Sequence, residues 1–314
     1  MNEPATHGDA YNFFGHCISA RSNSPAMLER LRLMYSRFVL EGTRSEPDVA
    51  LDIADDLATS GALEIRDPWW LYRLSQTDQH SHFTCQSLAT DEFEAVGFCQ
   101  PMVLVQNALL QTVAMAAAER YFFHAGALAL DGRALLLAAG SRMGKTTLTL
   151  RMAMMGCGLL SDEIACIRKL DRVVDPFPRA VNVREETARL LGLSLDEMYI
   201  PSGTGADGRE FTIDAEAIPG VEVSEPCEPA YLIFLKGFGD AARLQPLSKV
   251  RALFDLVSLG VAPVSDPSSL LFDLASLVED MACYTLVIGD LDETARLLSE
   301  LPARAAGAQA EAPQ

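Results

Sequence analysis

The 314-residue chain has no C-x-x-C pair, no basic stretch leading into an apolar one at its start, and few cations for its size. Its seven cysteines, Cys17, Cys85, Cys99, Cys157, Cys166, Cys227 and Cys283, are odd in number and scattered, without closely spaced histidines. That pattern excludes a disulfide frame and a cysteine zinc site and suits reduced thiols. The start, MNEPATHGDAYNFFGH, has no secretory signal pattern, and no uncharged apolar run reaches the roughly 18 residues of a membrane span. The best candidate, 102–118, contains Gln106, Asn107 and Gln111 and suits a buried helix. A cytoplasmic protein is expected, with no membrane partner. With 25 Lys+Arg against 43 Asp+Glu, a formal charge of −18 repels nucleic-acid backbones, so nucleic acid is not an expected partner.

What is present is ample apolar residue for a sizeable core and two textures along the chain. Residues 1–100 read as a small α+β unit. YNFFGHCISARS reads as one short strand, 25–38 has helical spacing, and WWLYRL and SHFTCQSL read as strands. Residues 101–301 read as a second domain that opens on an apolar helix near 103–120. Two apolar runs then flank Asp131-Gly132, a two-residue hairpin signal. Farther on, AYLIFL reads as a buried strand and YTLVIG as a strand, and helices are expected near 185–191, 249–259, 269–283 and 291–301. The small, polar tail, 302–314, is expected to be disordered, and no internal repeat is present.

The second run of the Asp131-Gly132 hairpin feeds into AAGSRMGKTTLTL (138–150), where Leu148 and Met152 repeat at helical intervals and Gly156 supplies a stop. This strand, loop and helix end in G-K-T, the close of a phosphate-binding loop, although the motif's first glycine is replaced by Ala139. Backbone N–H groups of such a loop cradle phosphate oxygens, the lysine neutralises the β- and γ-phosphates, and the next hydroxyl ligates Mg²⁺. The nucleotide-binding candidates are therefore Gly140, Ser141, Arg142, Met143, Gly144, Lys145, Thr146 and Thr147. Arg142, Lys145 and Arg151 form a local basic stretch with no carboxylate between them, and Arg142 reads as either a surface or a nucleotide-proximal group. An alanine at 139 is tolerable if its φ is negative.

Asp162-Glu163 lies 17 residues after Lys145, at the end of an apolar run, where a P-loop protein places carboxylates that hold a metal or accept a proton; the alternative is a solvated turn. His124 lies 21 residues before Lys145, at the start of the first hairpin strand. Arg179, in the Pro-flanked PFPR, and Arg184 are candidates for stabilising transferred charge; the alternative is a solvated loop arginine. PSGTGADGREF reads as a lid or a plain surface loop, and Trp69-Trp70 as packing or a partner patch. His80 and His82 lack further ligands, so no metal is expected there.

His-x-Gly opening a hairpin, then the loop, then the acidic pair, at these separations, resembles the catalytic domain of bacterial HPr kinase/phosphorylase and its HPr-kinase-like relatives. The resemblance covers 123–184 well and the rest in outline. It implies an α/β P-loop kinase domain of the HPr kinase and phosphoenolpyruvate carboxykinase-like fold, here preceded by the small α+β unit. It further implies ATP and Mg²⁺ as cofactors and a Ser/Thr hydroxyl of a peptide or protein as acceptor. On this resemblance Lys145 and Thr146 bind phosphates and Mg²⁺, Asp162 is the base and a metal neighbour, Glu163 assists at the metal, and His124 lies near the transferred phosphate. The Glu-x-Arg-Gly type signature of the HPr enzyme is absent, so the expectation does not extend to HPr or to phosphorolysis. PFPR and the FFGHCISARSNSP opening instead resemble divergent relatives, including kinases of lasso-peptide precursors. The leading unit would recruit the acceptor or mediate assembly, homo-oligomers included. A small-molecule kinase and a nucleotide-binding assembly protein with little turnover stand as alternatives.

Overall fold

Two tight turns organise the beginnings of the two halves of the chain. At Phe14-Gly15 φ is 56° and 96°, and at Asp131-Gly132 it is 49° and 73°. Paired left-handed residues match the twist of the flanking strands in a two-residue hairpin. The computed structural model describes residues 7–41, 46–76, 81–89, 93–97, 100–140, 142–194, 200–205, 208–261 and 267–303. It is a mixed α/β structure in two compact units, Met1–Ala118 and Glu119–Gln314. Among the described residues no helix is long and apolar enough to cross a membrane.

The first unit contains β1 (His7–Phe13), β2 (His16–Ser22), α1 (Pro25–Met34), β3 (Val49–Asp56), α2 (Leu57–Ser60), β4 (Ala62–Arg66), β5 (Trp70–Gln76), β6 (Ser81–Ser87), β7 (Phe93–Gly97) and α3 (Pro101–Ala116). Its seven strands form one sheet in chain order. All neighbours are antiparallel except β2 and β3, which α1 connects as a crossover. The YNFFGHCISARS segment is thus two strands, because the left-handed Phe14-Gly15 turn folds it back on itself. Met27, Leu28, Leu31 and Met34 recur at helical spacing and bury one face of α1, which packs on β1 and β2. Helix α3 packs on β3, β4 and β5 and so belongs to this unit, where the sequence reading placed it with the second domain. Thr112 on α3 donates to the buried Asp67 carboxylate at 2.6 Å, and Asp67 also accepts from the Trp69 and Trp70 amides. Trp70 is buried in this packing.

The second unit runs β8 (Arg120–Phe123), β9 (Ala125–Leu130), β10 (Arg133–Ala138), α4 (Lys145–Met154), β11 (Gly158–Ser161), β12 (Ala165–Arg168), β13 (Val174–Asp175), β14 (Val181–Arg184), α5 (Glu185–Leu191), β15 (Ile200–Gly205), β16 (Gly208–Ile213), β17 (Glu228–Phe238), β18 (Arg243–Pro246), α6 (Lys249–Val257), α7 (Pro267–Glu279), β19 (Ala282–Ile288) and α8 (Leu291–Ser299). Its central sheet has the order β11-β9-β10-β17-β19-β18, with β10, β17 and β19 parallel. Two three-stranded sheets, β13-β12-β8 and β14-β16-β15, complete it. The Gly-rich PSGTGADGREF lies largely in the β15–β16 hairpin, not in a loop; its Asp-Gly dipeptide was the overlooked signal. The expected disordered tail falls mostly on residues 304–314, outside the described residues, as does His80.

Period-two alternation sorts the sheet's side chains between two cores. Leu135 and Leu137 of β10 pack with Leu148, Met152, Ala295 and Leu298 of α4 and α8. Ala134, Leu136 and Ala138 face Ala252, Leu256, Leu274 and Leu277 of α6 and α7. Each fully buried leucine contributes about 1.5–3 kcal/mol.

Helix α4 approaches β9 closely at Gly126. A Cβ there would stand 2.5 Å from Thr149 Oγ1 and 3.3 Å from the Asp162 carbonyl oxygen. Gly126→Ala is therefore expected to destabilise the second unit by about 1–3 kcal/mol in urea unfolding. Adding Thr149→Ala should recover part of the loss, and strict additivity of the two changes would contradict the contact.

Candidate functional site

Strand register brings three distant segments to one end of the central sheet. Ala125 pairs with Ala138 across β9 and β10, so His124 stands beside the start of the loop that follows β10. Strand β11 also runs antiparallel to β9, with Ser161 opposite Ala127, so Asp162 and Glu163 leave β11 at that same end. This is the carboxyl end of the parallel strands, where open α/β sheets bind ligands. The His124 amide donates to the Leu259 carbonyl at 2.8 Å, and Phe177 N–H donates to the Leu160 carbonyl at 2.8 Å. The second of these bonds draws the PFPR segment alongside β11 and delivers Arg179 to the acidic pair.

The loop's backbone is adapted to its sequence. Ala139 is buried and does not have positive φ, so the alanine that breaks the glycine pattern sits in an ordinary conformation. Gly140 is exposed, and a Cβ there would meet only Met143 Cγ at 4.0 Å, leaving open space above the backbone. Arg142 is held at φ 64°, a cost of about 1–2 kcal/mol for a residue with a Cβ. Gly144, the N-cap of α4, has φ 80°. Met143 packs into the core under the loop and anchors it. Ser141 lies outside the described residues. Lys145 opens α4, so its neighbouring amides and the helix's positive end point out of the loop.

Charged groups converge here with little water. Lys145 and Arg179 are 7% exposed and Asp162 is 4% exposed, which separates Arg179 from a solvated loop arginine. Lys145 Nζ donates to His124 Nε2 at 3.0 Å, while His124 Nδ1 lies 3.8 Å from Glu163 Oε1. Arg179 pairs closely with Glu163 and places Nε 3.9 Å from Asp162 Oδ1. Ser161 Oγ accepts the Ile164 amide at 3.0 Å and fixes the turn that presents the acidic pair. Burial pushes the Asp162 carboxyl above the ordinary carboxylate range, and Arg179 and Lys145 offset part of that rise. Burial, against the pull of Asp162 and with repulsion from Arg179, lowers Lys145 to about 8. Burial, then Lys145 and Arg179, lower His124 to about 4, so its ring is neutral near pH 7 and accepts from Lys145.

The donor set fits a hard cation. Asp162 Oδ1 is buried without a hydrogen-bond partner, Glu163 is half-buried beside it, and the Thr146 hydroxyl stands in the first turn of α4. Carboxylate and hydroxyl oxygens are what Mg²⁺ takes, with the remaining positions left to water and phosphate. Among the described residues no three His, Cys, Asp or Glu side chains cluster as a metal site on their own. Two sequence candidates are engaged elsewhere: the Thr147 hydroxyl pairs with that of Thr187 on α5 at 3.0 Å, and Arg151 pairs with Asp292 on α8 at 2.6 Å. Arg184 caps α5. Thr187 carried no local signal in the sequence, because its role comes from a helix pairing 40 residues away, whereas Ser161, one residue before the acidic pair, was a local turn signal that went unused.

A proton titration reports on this cluster. Between pH 6.5 and about 4 the unfolded chain takes up a proton that folded His124 refuses, so stability falls as the pH drops through that window. Lys145 costs stability increasingly from pH 10.5 down to about 8, because the unfolded chain keeps its proton there. The His124 imidazole resonances should titrate near pH 4 and move up in Lys145→Ala, which removes a neighbouring cation. An unmoved midpoint would show that the two groups do not face each other.

No protein-family model matches the sequence, and no curated protein matches it. Among solved structures, that of the HPr(Ser) kinase/phosphatase from Coxiella burnetii aligns with 61% of this chain and 99% of its own, at 15% identity and a TM-score of 0.29. A likeness at that TM-score carries no argument, and a functional reading rests on the geometry of the site.

Proposed function

We propose that the second unit is an HPr-kinase-like P-loop phosphotransferase that uses ATP and Mg²⁺ to phosphorylate a Ser or Thr hydroxyl of a peptide or protein. The observation that carries this reading is the meeting of the G-K-T loop, a buried carboxylate and a buried arginine at one sheet end. The acceptor class comes from the sequence resemblance. Bound Mg²⁺ supplies charge neutralisation and orientation of the phosphates, with Thr146, Asp162 and Glu163 as the residues that would hold it.

Lys145, with its ammonium fixed on His124, binds the β- and γ-phosphates, and the loop amides hold them in place. Asp162 accepts the acceptor's hydroxyl proton as that oxygen bonds to the γ-phosphorus; the bond to the β–γ bridging oxygen breaks, and ADP leaves. A carboxylate whose proton affinity is raised by burial is better matched to that task than an exposed one. Arg179 stands where it can shift from Glu163 to the transferring phosphoryl group and bear part of its charge. His124, neutral near pH 7, positions Lys145 without adding charge.

The test is transfer from γ-labelled ATP to a Ser-containing peptide from a neighbouring gene, or to protein in a lysate. Asp162→Asn should lower the rate about 10²- to 10⁴-fold, and Lys145→Ala should abolish labelling. ATP binding by the wild type without transfer to any acceptor would replace the kinase reading with that of a nucleotide-binding assembly protein.

A further inference from the structure

Phe238 ends β17 with 66% of its surface exposed, and it does so against the phosphate loop. A Cβ on Gly144 would stand 3.2 Å from both Phe238 Cε1 and Cζ and 3.1 Å from Ile288 Cδ1. The ring edge therefore rests on the loop's last glycine, while the rest of the ring faces solvent. Two backbone features put it there. Gly237 is left-handed, at φ 113°, and the β17–β19 register shifts between Leu235 and Phe238. Bulges beside functional sites re-aim a side chain in this way. Gly144 in turn needs to be glycine twice over, for its φ of 80° and for the space the ring occupies.

Strand order places the ring relative to the loop and the acidic pair. The loop follows β10; Asp162 follows β11, two strands to one side, and Phe238 ends β17, one strand to the other. A nucleotide whose γ-phosphate points toward Asp162 and His124 leaves its other end toward β17.

We propose that Phe238 is the stacking platform for the base of the nucleotide whose phosphates enter the loop. The proposal rests on the phosphate-site reading above. A neutral aromatic base needs a π-face more than a charge, and Phe238 offers one at the mouth of a site whose interior is occupied by Lys145, Asp162 and Arg179. The same ring would accept any base, so discrimination between bases is not expected from it.

Calorimetric titration of wild type, Phe238→Ala and Phe238→Leu with Mg·ATP and with Mg·tripolyphosphate separates the outcomes. Phe238→Ala is expected to weaken ATP about 5- to 100-fold, with Phe238→Leu intermediate, and to leave tripolyphosphate unchanged. Unchanged ATP affinity in Phe238→Ala would overturn the stacking role while the phosphate site stands. Equal loss of both ligands would also overturn it, making Phe238 a prop for the loop. If the wild type binds neither ligand, the phosphate-site reading fails and the platform fails with it. If Phe238→Ala keeps its ATP affinity but loses transfer to a peptide, the ring serves the acceptor and the proposal is wrong.

Discussion

The site depends on β9 being hydrogen-bonded along both edges, to β10 on one side and β11 on the other, antiparallel to each. Because both neighbours run opposite to β9, the start of β9 and the ends of β10 and β11 fall together. His124, the loop and Asp162-Glu163 are separated by tens of residues in the chain and by a strand or two in space. Shifting the register by one residue would also move each side chain to the opposite face and into the other core, so the two cores that sandwich the sheet hold the site's geometry in place. Gly126 tightens the arrangement, since the bare backbone at that position lets α4 settle onto β9 and brings the helix start to the acidic turn.

Such a convergence is costly for stability. Two cations and a carboxylate lie nearly out of water, with Asp162 Oδ1 and Arg179 Nε lacking hydrogen-bond partners. Unpaired buried polar groups each cost about 1–3 kcal/mol, a loss that a purely structural core would avoid by using apolar residues. An anion and a cation bound there, as proposed above, would relieve that cost. Phosphate oxygens would satisfy Lys145 and Arg179, and Mg²⁺ would take the free oxygen of Asp162. The β13-β12-β8 sheet supplies a contrast within the same unit. There Asp175 is equally buried but accepts from Arg120 at 2.9 Å and from Arg168 at 2.6 Å, so both of its carboxylate oxygens are satisfied within a structural triad.

Much of the second unit was legible in the sequence because its signals are local. Asp131-Gly132 marks a turn by its φ requirements, the apolar runs around it mark strands, and G-K-T before helical spacing marks a loop at a helix start. The carboxylate pair and His124 were legible as candidates for the same reason, each at a strand end. Nonlocal pairing was not legible. The fate of α3 is decided by contacts with β3, β4 and β5, and Phe14-Gly15 hides its turn because a left-handed phenylalanine is rare. Phe238 joins the loop only through the parallel pairing of β10 with β17, about a hundred residues of chain apart, which no motif announces. Arg179 lay between: its Pro-flanked setting drew notice, but only the Phe177–Leu160 hydrogen bond shows why it is buried against the acidic pair.

The central claim is that the backbone from Ala139 to Thr146 receives phosphate. Amide hydrogen exchange across that segment, with and without Mg·ATP, tests it most directly, because the donors in question are the exchanging groups. The account predicts slowed exchange through the loop and the first turn of α4, lost in Lys145→Ala. Exchange there that is indifferent to Mg·ATP, with protection confined to other segments or absent, would contradict it.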